Sequence, residues 1–184
     1  MSEIPLPKHS GHYRLAPMSR SLAIMTVVLW GIPLVFVAIA LTTDYSPARI
    51  FILAMTVFIV GTFAWTWVRF RPTTFVLGSN AMEVIWPAKR RQVTYASMRS
   101  VRIATSRELK DLVGFGMRVG AGGLWGAFGW LWTTKRGIVQ MYISRLDRFV
   151  WIERDDRPWL ITPERPDDFV AELTQHIGAW APQG

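Results

Sequence analysis

"VGAGGLWGAFGWLWTT", residues 119–134, is the stretch whose reading decides the fold. It carries five glycines (Gly120, Gly122, Gly123, Gly126 and Gly129), three tryptophans and no charge. Three structures compete for it: a phosphate-cradling loop, a membrane helix and a β-strand. A P-loop needs GxxxxGK followed by Ser or Thr, so that backbone amides wrap the phosphate and the lysine reaches it. Here Lys135 follows Thr134 and precedes Arg136, which is the wrong order. A dinucleotide fingerprint starts at Gly120 and Gly122, but Trp125 stands where the third glycine is needed and no helical pattern follows. A span takes about 20 apolar residues, and glycine costs roughly 1 kcal/mol per position in a helix, so this stretch is too short and too flexible for one. A strand remains. Gly122 and Gly126 then supply a bend or bulge, while Leu124, Phe128, Trp130 and Trp132 supply packing mass.

The surrounding chain has the same character. Short apolar runs at 73–78, 82–86, 91–95, 99–105, 137–144, 149–153 and 158–162 are separated by turn signals such as Gly78-Ser79-Asn80, Pro87-Ala88-Lys89 and Asp155-Asp156. Several alternate with period two: Val101 and Ile103 share a face while Arg102 points away. Half-buried antiparallel strands of this kind indicate an all-β barrel or sandwich. The chain then changes period. In "PERPDDFVAELTQHIGAW", Pro166 suits a first helical turn, and Asp167 and Asp168 complement the positive end of the helix dipole. Phe169, Val170, Leu173, Ile177 and Trp180 fall on one helical stripe, which the open end of a small barrel would cover.

Upstream lie two uncharged runs, "SLAIMTVVLWGIPLVFVAIALTT" after Arg20 and "IFILAMTVFIVGTFAWTWV" after Arg49. Both meet the length of a bilayer crossing. Trp65 and Trp67 precede Arg69 and Arg71 as an interfacial belt followed by snorkelling cations. The short "TTDYSPAR" connection makes the helices, over about 21–43 and 50–68, an antiparallel hairpin with a kink at Pro33. Lys8, Arg14 and Arg20 precede it, and Arg69, Arg71, Lys89, Arg90 and Arg91 follow it, so the positive-inside rule puts both termini in the cytoplasm. The first run exceeds a signal peptide's apolar core of about 7–15 residues and follows a polar segment, so it reads as a retained helix. The organisation expected is a cytoplasmic tail over 1–20, a transmembrane hairpin over 21–71 and a cytoplasmic β domain over 72–180.

About seven strands closed by a C-terminal helix describe the pleckstrin-homology-like (PH-like) barrel. The segment "GLWGAFGWLW…KRGIVQMYISRLDRFVWIE…PWLITPERPDDFVAEL" resembles the bacterial PH-like domain family, whose members often follow a transmembrane hairpin. The likeness covers residues 72–178. It implies a two-helix hairpin followed by a mainly-β PH-like barrel capped by a helix, in the bacterial inner membrane. It departs from the pattern at Arg165, where Asp or Asn would cap the last helix better. Eukaryotic PH domains bind phosphoinositides through bases in their first hairpin. That loop is "GSNA" here, without a base, so that specificity does not carry over.

No catalytic constellation presents itself. Cysteine is missing, which removes thiolate chemistry and disulfides, and no GxSxG elbow occurs. His9 and His12 lie in the polar tail without further ligands, and His176 reads as a surface residue of the last helix. Asp155-Asp156 and Asp167-Asp168 are explained by a turn and a helix start. The expectation is a non-enzyme with no cofactor and no metal. Nucleic acid is excluded as a partner because the bases are dispersed and the aromatics sit in apolar runs.

The net charge of +8 points to an anionic surface. Residues 1–71 hold six basic and two acidic residues, and 72–184 hold fifteen and eleven. Strand parity, started from Arg71, places the loops "PAKRRQ", "SRELKDLVGFGMR" (106–118) and "SRLDR" (144–148) at the membrane end. They carry eight bases against three acids, whereas "TTKRG" and "ERDDRP" at the far end carry four against three. The candidate lipid-contact residues are therefore Lys89, Arg90, Arg91, Arg107, Lys110, Phe115, Arg145 and Arg148, with Leu112 and Val113 beside Phe115 dipping into the interface. The expected partners are the membrane, an anionic lipid, and a protein partner or membrane complex. The function expected is that of a membrane-anchored interaction module aiding assembly or regulation of such a complex. The competing expectation is a structural accessory subunit of a larger integral-membrane complex, to whose interfaces ten tryptophans would contribute.

Overall fold

The computed structural model describes residues 11–180. Two long helices, α1 (Arg20–Thr42) and α2 (Ser46–Phe70), form the expected hairpin, and both are long and apolar enough to cross a membrane. At 1.5 Å per residue they span about 35 and 38 Å. The second begins earlier than expected because Pro47, fixed at a helical φ, opens its first turn. The first runs on through Pro33.

Four strands, β1 (His12–Arg14), β2 (Thr74–Leu77), β3 (Ala81–Ile85) and β4 (Arg90–Thr94), make an antiparallel sheet in sequence order. Six more, β5 (Met98–Ala104), β6 (Gly116–Gly122), β7 (Ala127–Thr133), β8 (Gly137–Ile143), β9 (Phe149–Arg154) and β10 (Trp159–Ile161), make a second sheet in the order β5-β9-β10-β8-β7-β6. A 3₁₀ turn at Tyr95–Ser97 carries the chain from the first sheet to the second. Two further helices are α3 (Ser106–Val113) and α4 (Pro166–Trp180).

The sheets enclose one core. Tyr13, Phe75, Met82 and Val84 from the first meet Phe128, Val150, Ile152 and Ile161 from the second, and Phe169 and Leu173 of α4 close the gap. A separate cluster lies on the other face of the six-stranded sheet. There Val113, Leu109 and Leu112 of α3 pack on Ala127, Val139, Met141 and Trp151.

Several expectations need correction. The barrel of about seven strands is instead ten strands in two sheets, with no closed barrel among the described residues. One extra strand comes from the glycine stretch, which is two strands and a tight turn. Gly123 N donates to Gly126 O at 2.9 Å, and Gly120 pairs with Gly129 across the hairpin. Both paired glycines hold positive φ, at 135° and 130°, and a Cβ on either would meet the partner strand's carbonyl at 2.4 or 2.5 Å. No other residue fits that crossing. A second extra strand comes from the supposed tail, which is drawn into the domain from Gly11 onward. β1 pairs with β2, Ala16 N donates to Thr162 O, and Ser19 N to Ser144 O. The pairing is also not wholly antiparallel: β10 runs parallel to β8, reached by a crossover through β9.

Leu112 and Val113 were expected at a lipid interface, but 106–113 is a helix and both side chains turn into the core beneath it. Its start is a capping box. Thr105 Oγ1 accepts from Glu108 N, and the Glu108 carboxylate accepts from Thr105 N at 2.7 Å and holds its own pKa low. α4 begins without the usual cap. Instead Arg165 reaches Asp168 at 3.1 Å and stacks 5.1 Å over the Tyr13 ring. Tyr13 in turn donates to Glu172 at 2.6 Å, which ties the first strand to the last helix. His176 is half-buried and stacked on Tyr95, with centroids 4.7 Å apart, rather than free at the surface.

Candidate functional site

β1 precedes the helical hairpin, β2 follows it, and the two are hydrogen-bonded. Both ends of the hairpin therefore meet at one end of the domain. Three features of the domain gather there: Ser144 at the start of the β8–β9 loop, the β6–β7 turn, and the β3–β4 turn. Ser19, just before α1, donates to Ser144 O. Thr26 of α1 is bonded to Gly123 and Trp125 in the β6–β7 turn. In the β3–β4 turn, Trp86 Nε1 donates to Phe70 O at 3.1 Å, which clamps that turn to the last residue of α2.

A cleft of about 280 Å3 opens at this clamp. Arg69 and Phe70 of α2, Lys89 and Arg91 of the β3–β4 hairpin, and Gly129, Trp130, Gln140 and Tyr142 of the second sheet line it. Local structure explains how the cations converge. Arg91 stands opposite Val84, so its side chain shares the inward face of the sheet, at the sheet's open end. Lys89 closes the turn with its carbonyl accepting from Trp86 N, and its ammonium sits 4.6 Å over the Trp86 ring. Arg69 arrives from the last turn of α2.

Among the described residues, no carboxylate lines the cleft. The electrostatic consequence is visible at Lys89, whose pKa is lowered by burial and then by the charges of Arg69 and Arg91. Burial pushes the Tyr142 phenol up to about 12, so it stays neutral at pH 7 and able to donate. Behind the cleft, Arg91 and Arg154 lie over the same indole, Trp159, at 5.5 and 5.0 Å. Nε and Nη1 of Arg154 are buried without a hydrogen-bond partner, and its pKa is lowered by burial and by Arg91. Glu153, its neighbour in sequence, is occupied by Arg136 at 3.5 Å and Trp151 Nε1 at 2.8 Å. The cleft has thus gathered positive charge with no carboxylate on its lining among the described residues, while Asp155 and Asp156 act on Arg154 behind it; this is the arrangement of an anion-binding concavity.

The other residues singled out from the sequence are dispersed. Arg90 pairs with Ile85 on the outward face of the strand and is exposed. Arg107 and Lys110 are exposed on α3, across the six-stranded sheet from the cleft. Phe115 is 78% exposed but lies beside the β7–β8 turn, where its carbonyl accepts from Thr134 N, at the opposite end of the hairpin from Gly123. Arg145 and Arg148 are not free: Arg145 sits 3.6 Å from Asp147, and Arg148 pairs with Asp167 on α4. His12 is exposed on β1, while Lys8 and His9 fall outside the described residues, as does the side chain of Trp180. The sequence reading missed Arg69, Trp130, Tyr142 and Arg154 as site residues. Arg69 had a sufficient explanation as a snorkelling cation, and the other three read as strand residues.

No curated protein and no solved structure matches this chain. The model of the family described as "Bacterial PH domain" matches residues 73–177, from the strand after the helical hairpin to the last turns of α4. That match spans more than half of the sequence and agrees with the two-sheet domain and its capping helix, so the chain belongs to the bacterial PH domain family.

Proposed function

We propose that this protein is a membrane-anchored PH-domain binding module whose cleft holds the phosphate of an anionic lipid headgroup. PH-like domains are generally non-catalytic binding modules, which sets the class of function. The observation that carries the choice of ligand is the meeting of Arg69, Lys89 and Arg91 in one cleft without a carboxylate, at the foot of α2. A phosphodiester in the headgroup layer is the anion nearest to that position. The cytoplasmic leaflet of a bacterial inner membrane, the side that the flanking cations favour under the positive-inside rule, is rich in such groups. Binding there would fix the domain's orientation against the bilayer and leave its outward surfaces free for a membrane complex to use.

The test is native mass spectrometry of the full chain, released from detergent with phosphatidylglycerol or phosphatidylcholine. Wild type retains phosphatidylglycerol preferentially. The double variant Lys89→Ala/Arg91→Ala binds it roughly 30-fold more weakly, at about 1 kcal/mol per lost near-surface cation. Equal retention of both lipids by wild type, or no loss in the variant, overturns the reading. A stoichiometric protein subunit in place of lipid would favour an accessory role in a larger complex.

A further inference from the structure

The glycine-tryptophan hairpin carries a second surface. Met117 stands opposite Trp132 and Val119 opposite Trp130, so all four side chains share one face of β6–β7. They are 53, 54, 41 and 37% exposed. This face continues the one that buries Phe128 against the first sheet, but the first sheet stops short of it. Four adjacent large apolar groups, two of them tryptophans, form a patch rather than scattered surface residues.

The hairpin's own turn indicates what covers the patch. Thr26 Oγ1 lies 2.8 Å from the carbonyls of both Gly123 and Leu22, sharing its one proton between them, and accepts from Trp125 N at 2.9 Å. Gly123 lies so close to α1 that an added Cβ would meet Met25 Sδ at 2.7 Å. The Trp125 ring packs edge-on against Trp67, at 4.7 Å, and Trp30, at 6.3 Å. Thr26 and Trp30 stand six and ten residues into α1, or about 9 and 15 Å along its axis. The turn is thus docked within the apolar length of the helices. From Trp125 to Trp130 the strand then advances about 16 Å. Trp130 still shares a cleft with Arg69 and Phe70, so the hairpin stays beside the last turn of α2 instead of leaving it. Tryptophan next to arginine and lysine at a helix end is the composition of a bilayer interface.

We infer that the β6–β7 hairpin is a third membrane-contacting element, with the face formed by Met117, Val119, Trp130 and Trp132 seated in the interfacial layer of the bilayer that α1 and α2 cross. The occupant is lipid, because the patch is continuous with the lipid-exposed helices and rimmed by the cations of the cleft. The contact is apolar and does not depend on lipid charge. It rests on the two helices spanning the membrane but not on anion binding in the cleft.

The chain has no cysteine, so single cysteines can be placed without background. Spin labels at Met117→Cys and Trp132→Cys, in the full chain reconstituted into uncharged phosphatidylcholine vesicles, are compared with labels at Val35→Cys and Ala96→Cys. Val35 lies on the exposed side of α1, and Ala96 is exposed on the 3₁₀ turn. Collision with oxygen should exceed collision with a water-soluble nickel chelate at 117 and 132, less strongly than at 35, with the reverse at 96. Labels at 117 and 132 that behave like 96 overturn the inference. So do labels shielded from both reagents, which would mean that protein covers the face. Exposure of Val35 to nickel would overturn the spans themselves, and the neutral vesicles leave the cleft's anion binding to its own test.

Discussion

Phe51 and Phe75 are the same side chain on either side of one helix end, and they meet opposite fates. Phe51 on α2 is 68% exposed, while Phe75 on β2 is fully buried. The contrast runs through both regions. Along α1 and α2 most large apolar residues point outward, and the buried positions include Thr26, Thr56 and Thr66; the hydroxyls of Thr26 and Thr56 donate to carbonyls of the preceding turn. In the β domain most large apolar residues point inward and most cations outward, the exceptions including the face of Met117, Val119, Trp130 and Trp132 and the inward Arg91 and Arg154. The surface of the hairpin suits an apolar solvent, whereas the domain closes its apolar side chains into a core, so apolar content alone specifies neither. What distinguishes them is period: unbroken in the helices, alternating in the strands.

That division is sharpest where the domain borrows from across the hairpin. Tyr13 is 1% exposed and sits in the same core as Phe75, although the two long apolar helices separate them in sequence. Tyr13→Ala should lower the domain's stability by about 3–5 kcal/mol, the cost of emptying a large aromatic site, with the partner Glu172 left unmatched. Phe51→Ala should change it by less than about 0.5 kcal/mol. Denaturant unfolding of the full chain in detergent, followed by near-UV circular dichroism, measures both. Equal effects would erase the boundary between the regions.

A smaller effect is expected at their seam. Thr26→Val removes the hydroxyl that joins α1 to the β6–β7 turn, at a cost of about 1–3 kcal/mol for a buried bond left unmade. The domain should stay folded while the Trp125 amide exchanges roughly 5- to 100-fold faster, as read by hydrogen–deuterium exchange. Unchanged exchange would mean that ring packing alone holds the hairpin to the helices.

The smallest effect is electrostatic. Lys89 has its pKa lowered from the ordinary 10.5, so it discharges at a lower pH than an exposed lysine. Between that lowered value and 10.5 the unfolded chain binds the extra proton. Stability of the empty protein therefore rises with pH across that window, while phosphate affinity falls. The fall should approach fivefold, about 1 kcal/mol, and Lys89→Arg should abolish it. Titrating the lipid affinity from neutral to alkaline pH measures this, and a flat profile in wild type would remove Lys89 from the cleft's charge.

The two long apolar helices were readable from the sequence because each is an uncharged run bounded by charge. Most strands were readable because Gly78-Ser79-Asn80 and Asp155-Asp156 punctuate them. The hairpin inside 119–134 was not, because its turn uses Trp125 at a φ of 57°, which nothing about tryptophan announces. β1 was not, since "HYR" among polar neighbours has no strand pattern until β2 supplies the partner. α3 had a signal, Thr105 three residues before Glu108, that went unused. The site was legible only in part. Lys89 and Arg91 stood out as a charge run, but their company with Arg69 is tertiary, and so is the neutralisation of Arg148 by Asp167.

The position of β1 has a consequence in time. His12–Arg14 leaves the ribosome before its partner, Thr74–Leu77, which emerges only after α1 and α2 have been made. At about 5–20 residues per second, the roughly 60 residues between them take about 3–12 seconds. Through that interval the first strand has no sheet to join, and the last helix, whose Glu172 holds Tyr13, comes later still. The domain can therefore close only after both helices of the hairpin have been made. Formation of the β core is thus conditional on a complete hairpin, and a chain halted between the helices keeps its first strand unpaired.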